Sequence, residues 1–228
     1  MIEALARRLD AFGLIVFGGF HPGPGDGLDG VGTLVLIGNA GSAIWPHLAA
    51  FEDGRPDPLD RWTRQTLEPL AEEVGARALF PFDKPPLPFL TWAMSATPAR
   101  PSPLGMLIHP DYGLWHAYRV AFAFADRLDL PEPDNRPTPC PNCAEKPCLS
   151  ACPVGAFSGD GYDVPACTAH LSSGGEPACL ERGCAARRAC PAGADHRYES
   201  AHQRFHMEAF FRSRAVPRLR RGRSAGAA

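Results

Sequence analysis

No stretch of this sequence approaches the roughly 20 consecutive apolar residues that a membrane helix needs. The longest candidate, residues 12–20, is nine residues long and three of them are glycine. A bilayer-spanning helix is therefore not expected. The start, MIEALARRLDAFG, lacks the apolar region of a secretory or twin-arginine signal, because Asp10 follows Arg7-Arg8 where that region would begin. An amphipathic first helix and a cytoplasmic location are the expectation. The N-terminal part shows no internal repeat. The glycine-rich segment from Gly18 offers no Gly-x-Gly-x-x-Gly in the frame that opens a helix after a strand, which argues against a dinucleotide site. The first 139 residues also contain no cysteine.

What remains is an ordinary globular composition. The 228 residues are 45% hydrophobic and 21% charged, enough for one large domain or a domain with a small appended module. Glycine and proline supply 48 residues, so elements should be short and joined by stiff loops, and long coiled coils are excluded. The net charge of −2 conceals an asymmetry, since residues 201–228 carry seven arginines against Glu208 alone. The charge lies mostly in a segment without interleaved aromatics, so a solvated terminus is expected and nucleic acid is not expected as a partner.

Helix and strand signals alternate before residue 128. A helix near residues 2–11 leads to apolar runs at 13–20 and 33–38, both suited to buried strands. Asp57-Pro58 offers an N-cap with proline at the first helical position. Leu59, Trp62, Leu67, Leu70 and Val74 follow at helical spacing, and Gly75 can close a helix that Pro69 should kink. Residues 76–82, 104–109 and 119–125 read as strands and 87–95 as a short helix. The expected class is α/β or α+β, with a sheet domain over 1–127. Four prolines mark 128–139 as a linker. A cysteine module is expected over 140–213, ending in an amphipathic helix near 198–213, followed by a disordered basic tail over 214–228.

All eight cysteines fall between Cys140 and Cys190. In a chain without an export signal, thiolates held by metal are a better expectation than disulfides. The first run is Cys140-x2-Cys143-x4-Cys148-x3-Cys152-Pro153. The second is looser: Cys167, then Cys179-x4-Cys184-x5-Cys190-Pro191. In two-cluster ferredoxins the cysteine preceding proline ligates the other cluster. Applied here, that rule gives one [4Fe–4S] cluster on Cys140, Cys143, Cys148 and Cys190, and another on Cys152, Cys167, Cys179 and Cys184. Two structural zinc sites are the alternative, because closely spaced cysteine pairs serve zinc as well. The two Cys-Pro endings and the total of eight favour iron, while the x4 spacing departs from the x2 of the bacterial ferredoxin run.

The module resembles the dicluster domain of epoxyqueuosine reductases and, more distantly, of reductive dehalogenases, in which a lone cysteine opens the second motif in a Cys-x-x-x-Leu setting, here Cys167 to Leu171. Independently, the segment LGMLIHPDYGLWHAYRVAFAF is similar to the stretch of epoxyqueuosine reductase where a strand is followed by proline, a Tyr-Gly pair and tryptophan. It is similar again to the cblC-type cobalamin-processing protein, whose pattern is met by His109, Pro110, Tyr112, Gly113, Trp115, Ala117 and Arg119. The resemblance implies a nitroreductase-like, cobalamin-binding sheet domain followed by a ferredoxin-like module with two [4Fe–4S] clusters. His109, Tyr112, Trp115 and Arg119 would then be the cobalamin contacts, without His109 as a cobalt ligand. The sequence departs from epoxyqueuosine reductase in being shorter, in lacking a C-terminal helical repeat for gripping tRNA, and in offering no residue matched to its catalytic acid.

The reading these features support is an iron–sulfur oxidoreductase passing electrons through two clusters to a bound cobalamin, for corrinoid reduction or reduction of a small substrate. Its electrons would come from a low-potential donor such as a flavodoxin, a ferredoxin or a reductase. A dicluster electron carrier that only docks a partner reductase is the competing reading, and a zinc-stabilised binding module the third. An open pocket facing the clusters separates the first two, since a docking module needs a convex face.

Overall fold

The computed structural model describes residues 1–159, 161–176 and 178–222, with side chains through Arg214. It opens with helix α1, Ile2–Asp10, whose Leu5 and Leu9 are buried. Strand β1, Ile15–Phe20, and strand β2, Thr33–Ala40, follow as the apolar runs required. Between them, the glycine-rich segment is a loop that leads into a strand and opens no helix.

Next come α2, Trp45–Phe51, and α3, Pro58–Glu73. Proline at the first helical position and left-handed Gly75 bound α3 as anticipated. Asp57 differs, because its backbone is left-handed (φ 52°) and its side chain caps nothing. Strand β3, Ala76–Leu79, stops short of the expected residue 82, where the Phe80 N–H turns onto the Asp83 carboxylate. Helix α4, Phe89–Ala96, precedes a two-residue hairpin of β4, Arg100–Pro101, and β5, Leu107–Ile108. The strand expected over 104–109 is thus cut to two residues, because the Gly105 N–H folds back onto the Ser102 carbonyl as a turn. Strand β6, His116–Phe124, begins three residues earlier than expected.

The sheet runs β1-β2-β6-β3 and every pairing is antiparallel, which makes the fold α+β. Side chains alternate across β2 and β6, and both faces are covered. Val35, Ile37, Val120, Phe122 and Phe124 pack against α1, α2 and α3. Leu34, Leu36, Ala121 and Ala123 pack against α4 through Phe89, Trp92 and Ala93. Each fully buried Leu or Phe contributes about 1.5–3 kcal/mol by removal from water. The β2–β6 register shifts once, with Ile37 opposite Val120 and Gly38 opposite Tyr118, leaving Arg119 as the extra residue of a bulge.

The proline-rich segment 128–139 has no regular structure, but it is anchored. Leu128 and Leu130 pack on the sheet core, and Arg136 makes a two-pronged ion pair with Asp111 at 2.8 and 2.6 Å. The cysteine module contains α5, Pro147–Ser150, then a hairpin of β7, Phe157–Ser158, and β8, Gly161–Tyr162. Helices α6, Val164–Ser173, α7, Cys179–Arg182, and α8, Ala185–Ala189, complete it. The final helix α9, Ser200–Gly222, runs nine residues past the expected end at Ser213. Arginine, alanine and leucine, strong helix formers, dominate this continuation. The expected disordered tail is therefore helical as far as Gly222, and residues 223–228 lie outside the described residues.

Module and sheet meet closely. A Cβ on Gly113 would sit 2.0 Å from the Ala192 carbonyl oxygen, and one on Gly193 2.3 Å from the Tyr112 carbonyl carbon, so glycine is required on both sides of the seam. Arg187 of α8 donates to the Leu114 carbonyl at 3.1 and 2.6 Å, with its guanidinium 4.4 Å from the Trp115 ring and 4.6 Å from that of Tyr198.

Candidate metal centre

Short, tightly turned elements present the eight thiols. Cys140 opens a 3-10 turn and Cys143 closes it. Lys146, held at φ 41°, starts α5, whose second residue is Cys148. Cys152 follows α5 and its Sγ accepts the Ala156 N–H at 3.3 Å. The Asp163 carboxylate caps α6 by accepting the Ala166 N–H at 2.9 Å, placing Cys167 in the first turn. Cys179 begins α7, while Cys184 and Cys190 flank α8.

All eight are free thiols, and four of them, Cys140, Cys143, Cys148 and Cys190, line one cavity. Burial chiefly raises the Cys140 thiol, and the next influences are Cys190, Cys148 and Cys143. Cys148 is raised in the same order, by burial and then by Cys190 and Cys143. In the second quartet burial again leads. Cys167 then feels Cys152 and Cys179, and Cys184 feels Cys179 and Cys167. For these four thiols each such thiol neighbour lies in the quartet that the Cys-Pro rule assigns it, while Cys152 and Cys184 also pack beside Cys148 and Cys190.

The first quartet encloses a cavity of about 40 Å³ whose remaining walls are mostly apolar, including Pro103, Ile108 and Ala192, with Lys146 as the charged member. Of the second quartet, Cys167 and Cys179 pack with Met207, Phe210 and Phe211 of α9, whereas Cys152 and Cys184 pack in the cluster that holds Cys148 and Cys190. Among the described residues no three His, Cys, Asp or Glu side chains converge tightly enough to hold a single metal ion. The fit to an iron–sulfur cluster rests on donor chemistry: the first cavity is lined by four thiols and, among the described residues, by no carboxylate or imidazole, and burial there disfavours thiolate unless a metal holds it.

The four residues named as cobalamin contacts do not form one site. His109 and Tyr112 line a cleft of about 420 Å³ together with Phe17, Gly18, Leu130 and Asp134. His109 is buried, and its Nδ1 accepts the Asp111 N–H at 3.1 Å. Desolvation, ahead of every charge, lowers its pKa. Tyr112 lies 4.7 Å from the His109 ring and is raised by burial. Trp115 is wholly buried under Arg187 and Tyr198. Arg119 is turned by the bulge, and its charge is felt by Asp60, His202 and His206; its buried Nε has no hydrogen-bond partner among the described residues. Neither lines the cleft, whose volume is in the range of small-molecule sites.

Three further residues crowd His109 and Tyr112 that sequence reasoning did not single out. Phe17 lies 6.1 Å from His109 and 5.6 Å from both Tyr112 and His116, and Tyr118 lies 5.0 Å from Phe17. Desolvation lowers His116 to about 4 and raises Tyr118 to about 12. Their spacing along β6, two residues apart, was the available signal. A larger cavity, about 1060 Å³, lies between α2–α3 and α9 and contains none of the cysteines.

The cleft and the first quartet's cavity are joined along the chain, since Ile108 lines one and the adjoining His109 the other.

No protein-family model matches the chain, and no curated protein matches it. Solved structures do. An epoxyqueuosine reductase from Bacillus subtilis, with its catalytic loop swung out of the active site, gives a TM-score of 0.50 at 14% identity, covering 86% of this chain and 66% of that one. An epoxyqueuosine reductase from Streptococcus thermophilus gives 0.47 at 16% identity over 73% and 50%. A third, holding an epoxyqueuosine-modified tRNA-Tyr stem loop, gives 0.47 at 15% identity over 86% and 66%. The chain thus spans between half and about two thirds of these proteins. At such identities the likeness is one of fold, and it is the Bacillus subtilis structure that carries it.

Proposed function

We propose that this chain is an iron–sulfur oxidoreductase that delivers electrons to an acceptor bound in the His109–Tyr112 cleft. The observation that carries this reading is that consecutive residues, Ile108 and His109, line the first quartet's cavity and the cleft respectively. In it, Cys140, Cys143, Cys148 and Cys190 hold one [4Fe–4S] cluster and Cys152, Cys167, Cys179 and Cys184 the other. When bound, such clusters supply single electrons at low potential. The chain's own residues supply the protons. Because Nδ1 of His109 accepts a backbone N–H, the neutral ring carries its proton on Nε2, and Tyr112 keeps its phenol proton. The cleft, walled by Phe17 and Leu130, holds the acceptor against these two donors, and the Asp111–Arg136 ion pair secures the segment 128–139 at its rim. An open cleft adjoining that cavity along the chain favours the enzyme over the electron carrier.

A corrinoid is the narrower form of the acceptor, supported by His109 and Tyr112 but not by Trp115 or Arg119. Nucleic acid also returns as a carrier of the reducible group. One structural neighbour is described with a modified tRNA stem loop, and the arginine excess over 201–228 suits phosphate. The test is an anaerobic absorption spectrum and iron count of the reconstituted protein, with and without cob(II)alamin. About eight irons per chain, bleached by dithionite, are expected for two cubanes; stoichiometric zinc without iron would end the oxidoreductase reading. A shift of the corrinoid to its base-off spectrum selects the narrower form, and an unchanged corrinoid spectrum leaves a smaller organic acceptor.

A further inference from the structure

The cleft that holds His109 and Tyr112 is lined by four carboxylates and, among the described residues, by no lysine or arginine. They come from three walls: Glu3 from the first turn of α1, Asp111 from the turn between β5 and β6, and Glu132 and Asp134 from the proline-rich segment 128–139. Arg136 is spent within this set. Its guanidinium holds Asp111 at 2.8 and 2.6 Å and Asp134 at 2.7 and 3.0 Å, one positive charge against two negative ones. Arg100, near the wall at Ala96 and Pro98, is tied to the carbonyls of Met94, Thr97 and Ala99. Glu3 and Glu132 are exposed and make no ion pair among the described residues. His109 in the same cleft is only 5% exposed; its Nδ1 takes the Asp111 N–H, and its Nε2 has no hydrogen-bond partner among the described residues. The cleft thus combines a buried donor still lacking an acceptor with a rim of uncompensated negative charge.

Resting on the function proposed above, we infer that the acceptor this cleft selects is an organic cation: its reducible group accepts from His109, and its amine or other positive group lies against Glu3 and Glu132. A rim of one sign concentrates ligands of the opposite sign and turns away those of its own. Phosphate and carboxylate groups are therefore disfavoured here, and an acceptor carried on nucleic acid would leave its phosphates outside this cleft. Glu3 and Glu132 determine specificity in this arrangement; His109 and Tyr112 remain the proton donors.

The experiment is anaerobic stopped-flow oxidation of the reduced holoprotein, freed of excess dithionite, by nitroaromatic acceptors of different charge: 4-nitrobenzyltrimethylammonium, 4-nitrobenzyl alcohol and 4-nitrobenzoate. Each takes one electron into its nitro group as a cluster is reoxidised. Wild type is compared with the double variant Glu3→Gln, Glu132→Gln, whose exposed positions leave the cysteines and the cores untouched. The compounds differ in intrinsic reactivity, so the readout is the cation-to-anion ratio of second-order rate constants in the wild type, divided by that ratio in the variant. The expected quotient is roughly tenfold at low ionic strength, and it should fall towards unity in about 1 M salt, where charges act over only about 3 Å. Unity at low salt would overturn the inference, because neither carboxylate would then select the acceptor. A wild type oxidised fastest by nitrobenzoate would overturn it as well. A wild-type protein without clusters would instead sink the function proposed above.

Discussion

At the scale of single residues, Cys190 has the most consequential placement. It lies 50 positions beyond Cys140 in the chain and 11 beyond Cys179, yet it faces Cys140 and Cys148. Helix α8 makes this possible by leading from Cys184, in one quartet, to Cys190, in the other. Cys190→Ser should therefore abolish the same EPR signal as Cys140→Ser and spare the one lost in Cys179→Ser. Loss of the Cys179 signal in Cys190→Ser would mean the quartets are not crossed. The convergence of Cys140, Cys143, Cys148 and Cys190 on one cavity was legible in the sequence through the Cys-Pro rule, and these variants test the cluster partition that the same rule assigns. The corrinoid contacts were not. Trp115 and Arg119 share a motif with His109 and Tyr112, but a motif is blind to the face on which each side chain lands. The β6 bulge at Arg119 and the seam over Trp115 turned both away from the cleft.

At the scale of elements, α9 holds the two parts of the molecule together through histidines that no mechanism uses. His202 is stacked between Tyr198, at 4.0 Å and 12°, and Trp45, at 5.3 Å and 15°. Its Nδ1 meets the Ser42 hydroxyl at 3.1 Å and its Nε2 meets His206 Nε2 at 3.0 Å. Desolvation, reinforced by Arg119 and Arg187, pushes His202 down to about 3 from 6.5, and His206 is lowered well below 6.5 for the same reasons, with His202 itself contributing. Above pH 6.5 both the folded and the unfolded chain leave these rings neutral. Below 6.5 the unfolded chain binds protons that the folded one refuses, so stability is lost as pH falls from 6.5 towards 3, by at most about 1.4 kcal/mol per pH unit for each histidine. Anaerobic urea unfolding at pH 7.5 and 5.5, followed by tryptophan fluorescence, should show this loss. His202→Phe, which keeps the ring stack and cannot titrate, should show less of it. An equal slope in the variant would place the pH dependence elsewhere. The sequence indicated the amphipathic start of α9 but not its reach, since the arginines that suggested a solvated tail also favour helix.

At the scale of the whole molecule, the two parts are built on different principles. The sheet domain has two cores without a single cysteine, in which β2 and β6 are covered on both faces. Among the described residues the module has one small buried cluster of its own, with Cys179, and shares a second with Leu104, Ile108 and Leu114 of the sheet domain, where Cys148 and Cys190 lie. The alternation of apolar residues made the sheet readable in advance, whereas the module's short helices carry too little periodicity to be seen and take their shape from the thiols. Removing the metal should then separate the parts. With chelator under reducing conditions, amide exchange should rise across residues 140–190, where burial alone keeps unligated thiols protonated and no large apolar core remains. Protection in β1, β2, β3 and β6 should persist. The seam at Gly113, Gly193 and Arg187, with the apolar contacts of Leu104, Ile108 and Leu114 beside Cys148 and Cys190, is a route by which loosening could spread. If the sheet strands lost protection in step with the module, that seam, and not the sheet's own core, would be what holds the N-terminal domain folded.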